Sequence, residues 1–311
     1  MSCEESVAPG ESANDQQDRL ADQKEGSAVA ESSRAGYMYE QNAVDRERLR
    51  LASNQLNQMT FEACVRAGIR PGARAIDVGC GQLGALPVLA EMVGPSGVVV
   101  GLDVSPVALE SARAGVASMG LDAVHLVEAD INSVDPASLA PWAPFDLAVC
   151  RLLLVHQPDP VATLRALTRF MRPGGRIIAM EPLRDPGFPR FDPPVTAVER
   201  IRDLDVAHIR ARGLPYDIAW EYGDVFAAAG LKLLEWRGHL SLYTSDTLLL
   251  EFLGRLLPSQ KTGLLAAGLT TEQEIDELTA EVNTAVARPL RRSATYILVD
   301  AIGEVPNGPT N

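Results

Sequence analysis

Positive charge is what this 311-residue sequence is short of: 28 Lys and Arg stand against 41 Asp and Glu, a formal net charge of -13. Nucleic-acid binding needs clustered cations to neutralise phosphates, so this balance argues against such a partner and favours small-molecule chemistry. No run of ~18 unbroken apolar residues is present, so no transmembrane helix and no membrane partner are expected. The acidic N-terminal stretch also lacks the basic-then-apolar pattern of an export signal. The four cysteines, Cys3, Cys64, Cys80 and Cys150, are far apart with no C-x-x-C pair. That spacing speaks against a disulfide framework and a zinc site, leaving a reducing cytoplasm as the expectation. No internal repeat is visible.

What is present is a 46% apolar content, enough for a full core. Residues 1–34 hold little of it. Ser, Ala, Gln and acids dominate there, and a disordered acidic tail is expected. The remainder, 35–311, reads as one domain that opens with two helices over 35–69, the second ending at Gly68. Short apolar runs then alternate with helical ones. ARAIDVG, GVVVGLDV, AVHLVEAD, FDLAVCRLLLV and RIIAMEP read as strands. Ser105 as N-cap and Pro106 at the first helical position open the helix after the second strand. The helix after the fourth strand is expected to close at Pro173-Gly174. Strands this apolar, separated by helices, imply a parallel sheet covered on both faces, the doubly wound α/β architecture. LKLLEWRGHLSLYT supplies a sixth strand, and ATYILVDAIG a seventh, expected antiparallel at the sheet edge. Residues 183–216 and 244–290 are insertions relative to a minimal sheet.

The stretch RAIDVGCGQLGALPVLAEMVG, residues 74–94, places Gly79, Gly81 and Gly84 as G-x-G-x-x-G. In a doubly wound sheet the loop after the first strand faces the ligand crevice, and glycine permits close backbone approach. A tight turn without a ligand would use the same glycines. Asp103, closing the second strand, can accept both hydroxyls of a ribose, a feature shared with NAD proteins. Asp130, closing the third, can meet an adenine amino group. Asp77 discriminates: its charge repels a pyrophosphate and suits a cofactor carrying an amino group and a sulfonium.

Five segments, AIDVGCGQLG, VVVGLDVS, VEADI, FDLAVCRLLLVHQPDP and RPGGRIIAMEP, together resemble the class I S-adenosylmethionine-dependent methyltransferases in order and spacing, over roughly residues 70–182. The RPGG run is typical of small-molecule enzymes resembling those of ubiquinone and secondary-metabolite pathways. The resemblance implies a Rossmann-like sheet and methyl transfer from S-adenosylmethionine to an oxygen or nitrogen of a small organic molecule. It further implies that Asp77, Gly79, Cys80 and Gly81 line the methionine moiety, and Asp103 and Val104 the ribose and adenine. Asp130 and Ile131 would meet the adenine, and the backbone around Arg151 would face the sulfonium. Tyr39, with Tyr37, either closes over the cofactor or packs at a domain edge. One departure stands out: the family's third glycine falls at Leu83, and here it is displaced to Gly84. That keeps three alternatives open: a non-methylating enzyme such as a cyclase using the same cofactor, an NAD-dependent oxidoreductase, and a non-catalytic binding protein.

Methyl transfer is an in-line displacement in which the protein aligns the nucleophile and excludes water, and a hydroxyl or protonated amine also needs a base. His156, after the fourth strand, and Glu181, ending the fifth, are candidates. The structural alternatives are a hydrogen-bonded imidazole and a carboxylate that caps a turn or pairs with Arg184. His208 shares a helix face with Ile201 and Leu204, so it is either a core histidine or a lid residue facing substrate. Asp203, Asp205 and His208 do not share one direction, and no metal is expected. Phe188, Phe191, Tyr216, Trp220 and Phe252 fit either an apolar acceptor or a core. TEQEIDELTAEVNTAV has an apolar spacing suited to a neighbouring element or to the second subunit of a homodimer.

Overall fold

The computed structural model describes Tyr39 and residues 42–307. The tail expected over residues 1–34, and Tyr37, lie outside the described residues. Helix α1 (Ala43–Arg66) begins at Asn42, whose side chain accepts from the Asp45 amide. It is one helix of 24 residues where two were expected. The sequence between its ends contains neither Gly nor Pro to break it.

Five strands follow: β1 (Arg74–Val78), β2 (Val98–Asp103), β3 (Val124–Glu128), β4 (Phe145–Arg151) and β5 (Met171–Leu183). They are joined by α2 (Leu86–Val93), α3 (Pro106–Met119), α4 (Pro136–Leu139) and α5 (Pro160–Thr168). Ser105 caps α3 as expected, accepting from the Ala108 amide at 3.2 Å. Helix α5 stops at Thr168, short of Pro173-Gly174. The RPGG run lies inside β5, where Gly174 takes φ +69, a conformation that favours glycine.

Beyond β5 come β6 (Arg190–Asp192), α6 (Ala197–Ala211), α7 (Tyr222–Ala228), β7 (Lys232–His239) and β8 (Leu242–Tyr243). The chain ends with α8 (Leu248–Ser259), α9 (Lys261–Ala266), α10 (Glu272–Val286), β9 (Arg292–Ala294) and β10 (Ile297–Glu304). The seven-stranded sheet has the order β3-β2-β1-β4-β5-β10-β7, and β10 is antiparallel to both neighbours. The last strand is therefore antiparallel as expected but interior, not at the edge. Burial explains the placement. β10 is covered along nearly its whole length, whereas β7 alternates and leaves Leu234 and Trp236 exposed, which only an edge strand tolerates. The expected sixth strand divides at Leu240-Ser241: β7 joins the large sheet and β8 joins an unforeseen small sheet, β6-β9-β8.

Two apolar clusters cover the two faces of the large sheet, one including Ile76, Cys150 and Ala179, the other Val99, Val149 and Met180. A third, with Ile201, Leu204, Leu253, Leu257 and Val282, binds α6, α8 and α10 together. The insertions thus form a helical layer beside the carboxyl ends of the strands.

Candidate active site

The glycine turn is built around a buried carboxylate. Asp77 at the end of β1 is 1% exposed and its Oδ2 accepts from the Ala85 amide at 2.6 Å. Gly84 adopts φ +46, and a Cβ there would lie 2.4 Å from that Oδ2 and 2.5 Å from the Cys80 carbonyl. The displaced glycine is therefore required where it is, because the loop closes directly over Asp77. Burial pushes the Asp77 pKa up to about 7, against the pull of the Arg151 guanidinium.

Leu83, which occupies the usual glycine position, is accommodated by α3. A Cβ at Gly115 would sit 2.9 Å from Leu83 Cδ2, so the leucine fills a notch left by a glycine. Helix propensity alone would make Gly115→Ala favourable by ~1 kcal/mol. The larger Gly115→Val is expected to drive Leu83 out of its notch and weaken cofactor binding about tenfold, with Leu83→Ala in the same chain restoring it. Calorimetric titration with S-adenosylhomocysteine reads both; unchanged affinity in the single variant would refute the coupling.

Gly79 and Gly81 take φ +72 and +55. A Cβ on Gly79 would meet Leu153 Cδ1 at 2.8 Å, while one on Gly81 would meet nothing within 4 Å. The turn is thus packed on one side and open on the other. The Cys80 side chain turns inward, 1% exposed, so only its backbone lines the turn; its Sγ would stand 3.0 Å from a Cβ at Gly101. Asp103 braces the turn: its two oxygens accept from the Gly81 amide at 2.8 Å and the Ser105 amide at 2.9 Å. Each oxygen retains acceptor capacity for a further donor. Val104, next in chain, is half-buried. Asp130 Oδ1 accepts from Asn132 Nδ2 at 2.9 Å, and Ile131 is buried in the core, leaving its backbone at the strand end.

Arg151, expected to contribute only backbone, does more. Its Nη1 donates to Asn57 Oδ1 at 2.9 Å and Thr60 Oγ1 at 3.1 Å, and its Nη2 to Ser53 Oγ and the Gly84 carbonyl. One buried guanidinium therefore ties α1 to the glycine turn. The polar residues Ser53, Asn57 and Thr60 share one helix face, the signal by which sequence reasoning could have found the tie.

After β4 the chain turns at Leu152, φ +55, into a 3-10 turn, Leu154–His156. His156 meets the Tyr39 ring edge-on at 5.7 Å, and the Arg48 guanidinium lies 3.7 Å above the same tyrosine. Asp45 holds Arg48 at 2.7 Å. Burial, then the charges of Arg48, Arg184 and Arg212, push the His156 pKa down to about 3. Glu181, fully buried, accepts from the Val155 amide through Oε1 at 3.3 Å. Its Oε2 has no hydrogen-bond partner among the described residues. Burial pushes its pKa up to about 7, opposed by the amides of the 3-10 turn. The structure thus brings Tyr39, His156 and Glu181 together around that turn.

His208 is placed elsewhere. It is 1% exposed, with Nδ1 3.2 Å from Gln260 Oε1 and its ring against Gly263, where a Cβ would meet Nε2 at 2.6 Å. It joins α6 to the α8–α9 corner, the core alternative. Gln260 in turn donates to Asp205, which pairs with Arg184 at 3.4 Å. No metal-holding group of His, Cys, Asp or Glu occurs among the described residues.

A parallel sheet extended by an antiparallel strand second from its edge, with a glycine turn at β1 and acids at three adjacent strand ends, defines the Rossmann-like methyltransferase fold. The comparisons agree. Residues 69–204 match a family model described as a methyltransferase domain, and that segment is a class I, S-adenosylmethionine-type methyltransferase domain. Nocamycin O-methyltransferase of Saccharothrix syringae is 36% identical over 117 residues, covering 38% of this chain and 40% of the relative. Demethylmenaquinone methyltransferase of Bacillus cytotoxicus is 34% identical over 113 residues, covering 36% of this chain and 46% of the relative. The chain thus spans less than half the length of these curated relatives. A candidate sarcosine dimethylglycine methyltransferase from Galdieria sulphuraria shares the fold at 15% identity and a TM-score of 0.51, covering 88% of this chain and 93% of that one.

Proposed function

We propose that this chain transfers a methyl group from S-adenosylmethionine to an oxygen or nitrogen of a small organic molecule. The observation that carries the reading is the open side of the turn at Gly81, flanked by Asp77, Asp103 and Asp130 at the ends of β1, β2 and β3. A cationic amino acid end, a ribose and an adenine fit that run of acids, and a pyrophosphate does not. Asp77 stabilises positive charge from below the turn, Gly79 and Gly81 admit the methionine portion, Asp103 meets the ribose, and Asp130 with the Ile131 backbone meets the adenine. When bound, the cofactor supplies an electrophilic methyl group. Glu181 accepts a proton from the acceptor, the neutral His156 and Tyr39 orient it, and the layer of α6, α8 and α10 excludes water.

Residues 35–311 act in this reading as one domain, with 183–216 and 244–290 shaping the acceptor side. The similarity to nocamycin O-methyltransferase supports a secondary metabolite as the acceptor class. The three buried free thiols, Cys64, Cys80 and Cys150, suit the cytoplasm. No described helix is long and apolar enough to cross a membrane.

Asp103→Ala removes both the ribose acceptor and the brace on Gly81. Its affinity for S-adenosylhomocysteine is expected to fall between tenfold and a hundredfold, about 1.4 to 2.8 kcal/mol. Titration calorimetry decides, and wild-type affinity would remove Asp103 from the site. A mass gain of one methyl on an acceptor, found by metabolite screening, distinguishes transfer from cyclisation.

A further inference from the structure

The outer face of α6 carries Arg202, Val206 and Arg210 at i, i+4 and i+8. Opposite them stand Arg184 and Pro186, which follow β5, and Tyr216 with Asp217, which follow α6. Between lies a cleft of about 420 Å³, within the range of small-molecule sites. Its floor, Val206, Ala207 and Pro186, is apolar, so it suits a hydrocarbon body more than a hydrated ion.

Its charge is distinctive in a chain of net -13. Three guanidiniums here face two carboxylates, Asp203 and Asp217. The small positive excess matches a monoanion better than a dianionic phosphate. The arginines differ in what they already bond. Arg184 engages Asp205 through Nε and the Tyr216 carbonyl through Nη1. Arg202 donates to the Pro186 carbonyl and to Asp203. The Arg210 guanidinium lies 3.9 Å over the Tyr216 ring, and among the described residues it makes no hydrogen bond or ion pair. Stacking fixes its plane while leaving the in-plane donors unspent, the arrangement that receives a carboxylate with two parallel bonds.

We propose that this cleft binds a small monocarboxylate with a flat apolar body, its carboxylate on Arg210 and its body on Val206 and Ala207. The assignment stands apart from methyl transfer. Arg184 nonetheless links the two regions, since its charge also reaches His156 and Glu181.

The test is calorimetric titration of the full chain with benzoate, with uncharged benzamide of the same shape, and with phenyl phosphate. Benzoate is expected to bind at least tenfold more tightly than benzamide and more tightly than phenyl phosphate. Arg210→Ala should weaken benzoate about tenfold, and Arg210→Lys should restore only part of that, because an ammonium lacks the planar fork. Affinity for S-adenosylhomocysteine should be equal in wild type and Arg210→Ala, showing that the variant folds. Equal binding of benzoate and benzamide, no saturable benzoate binding at low-millimolar concentration, or benzoate affinity indifferent to Arg210→Ala would overturn the site. Tighter binding of phenyl phosphate would overturn the monoanion assignment. Loss of S-adenosylhomocysteine binding with benzoate binding retained would instead count against the methyltransfer reading alone.

Discussion

Glu181→Gln is expected to melt higher than the wild type at pH 8 while losing most of its turnover. The glutamate is fully buried, and burial holds its pKa at about 7 against an ordinary 4.5. A carboxyl raised in the folded state contributes stability in full below the unfolded pKa and loses it as pH climbs through the folded one. At pH 8 the wild type therefore carries a buried ionised carboxylate that an amide avoids. At 1.36 kcal/mol per pKa unit the gain for Gln is ~3 kcal/mol at pH 8, shrinking to nothing below pH 4.5. Gln also keeps an oxygen for the Val155 amide, so the 3-10 turn should survive. What it loses is a proton acceptor, at an expected cost of about 10² to 10³ in kcat. The wild-type rate should rise with pH along a limb centred at or below 7, and that limb should vanish in the variant. His156→Ala should cost less as far as proton transfer goes, since an imidazole with a pKa near 3 is a poor base. Thermal melts at pH 5 and pH 8, followed by a pH–rate profile, check the account. A variant less stable than wild type at pH 8 would reject it.

Arg151→Ala is the second substitution with a large expected effect. It strips Asp77 of its cation and leaves Asn57, Thr60 and the Gly84 carbonyl without their donor. Breaking a buried charge arrangement from one side costs about 3–5 kcal/mol. The denaturation midpoint should fall accordingly, and S-adenosylhomocysteine binding should weaken because the glycine turn loses its tie to α1. Arg151→Lys should rescue little, since an ammonium cannot reach both sides of that junction at once. Adding Asp77→Asn to Arg151→Ala should recover part of the stability by removing the stranded charge. A midpoint shift below about 1 kcal/mol would show the guanidinium to be incidental.

These two residues also show where reading the chain succeeds. Asp77, Asp103 and Asp130 were each legible as a strand-end acid, because an apolar run followed by a turn and a helix start is a local pattern. The placement of Glu181 beside the turn of His156 was half legible. Both could be assigned to strand ends, but the bond from the Val155 amide joins residues 26 apart in sequence. His208 shows the limit of helical periodicity. Its shared face with Ile201 and Leu204 fitted a lid and a core equally, and Gln260, 52 residues on, decided for the core.

Local order was thus determined by the sequence itself: the parallel strands, the capped helices and the glycine turn all follow from periodicity, capping chemistry and backbone freedom within a few residues. Only the tertiary structure decided the rest. It set β10 inside the sheet, seated Leu83 in the notch at Gly115 and ran Arg151 to α1. The reason is physical: each of these depends on volume and charge being matched between segments distant in the chain, and a linear pattern carries no record of which surfaces will meet.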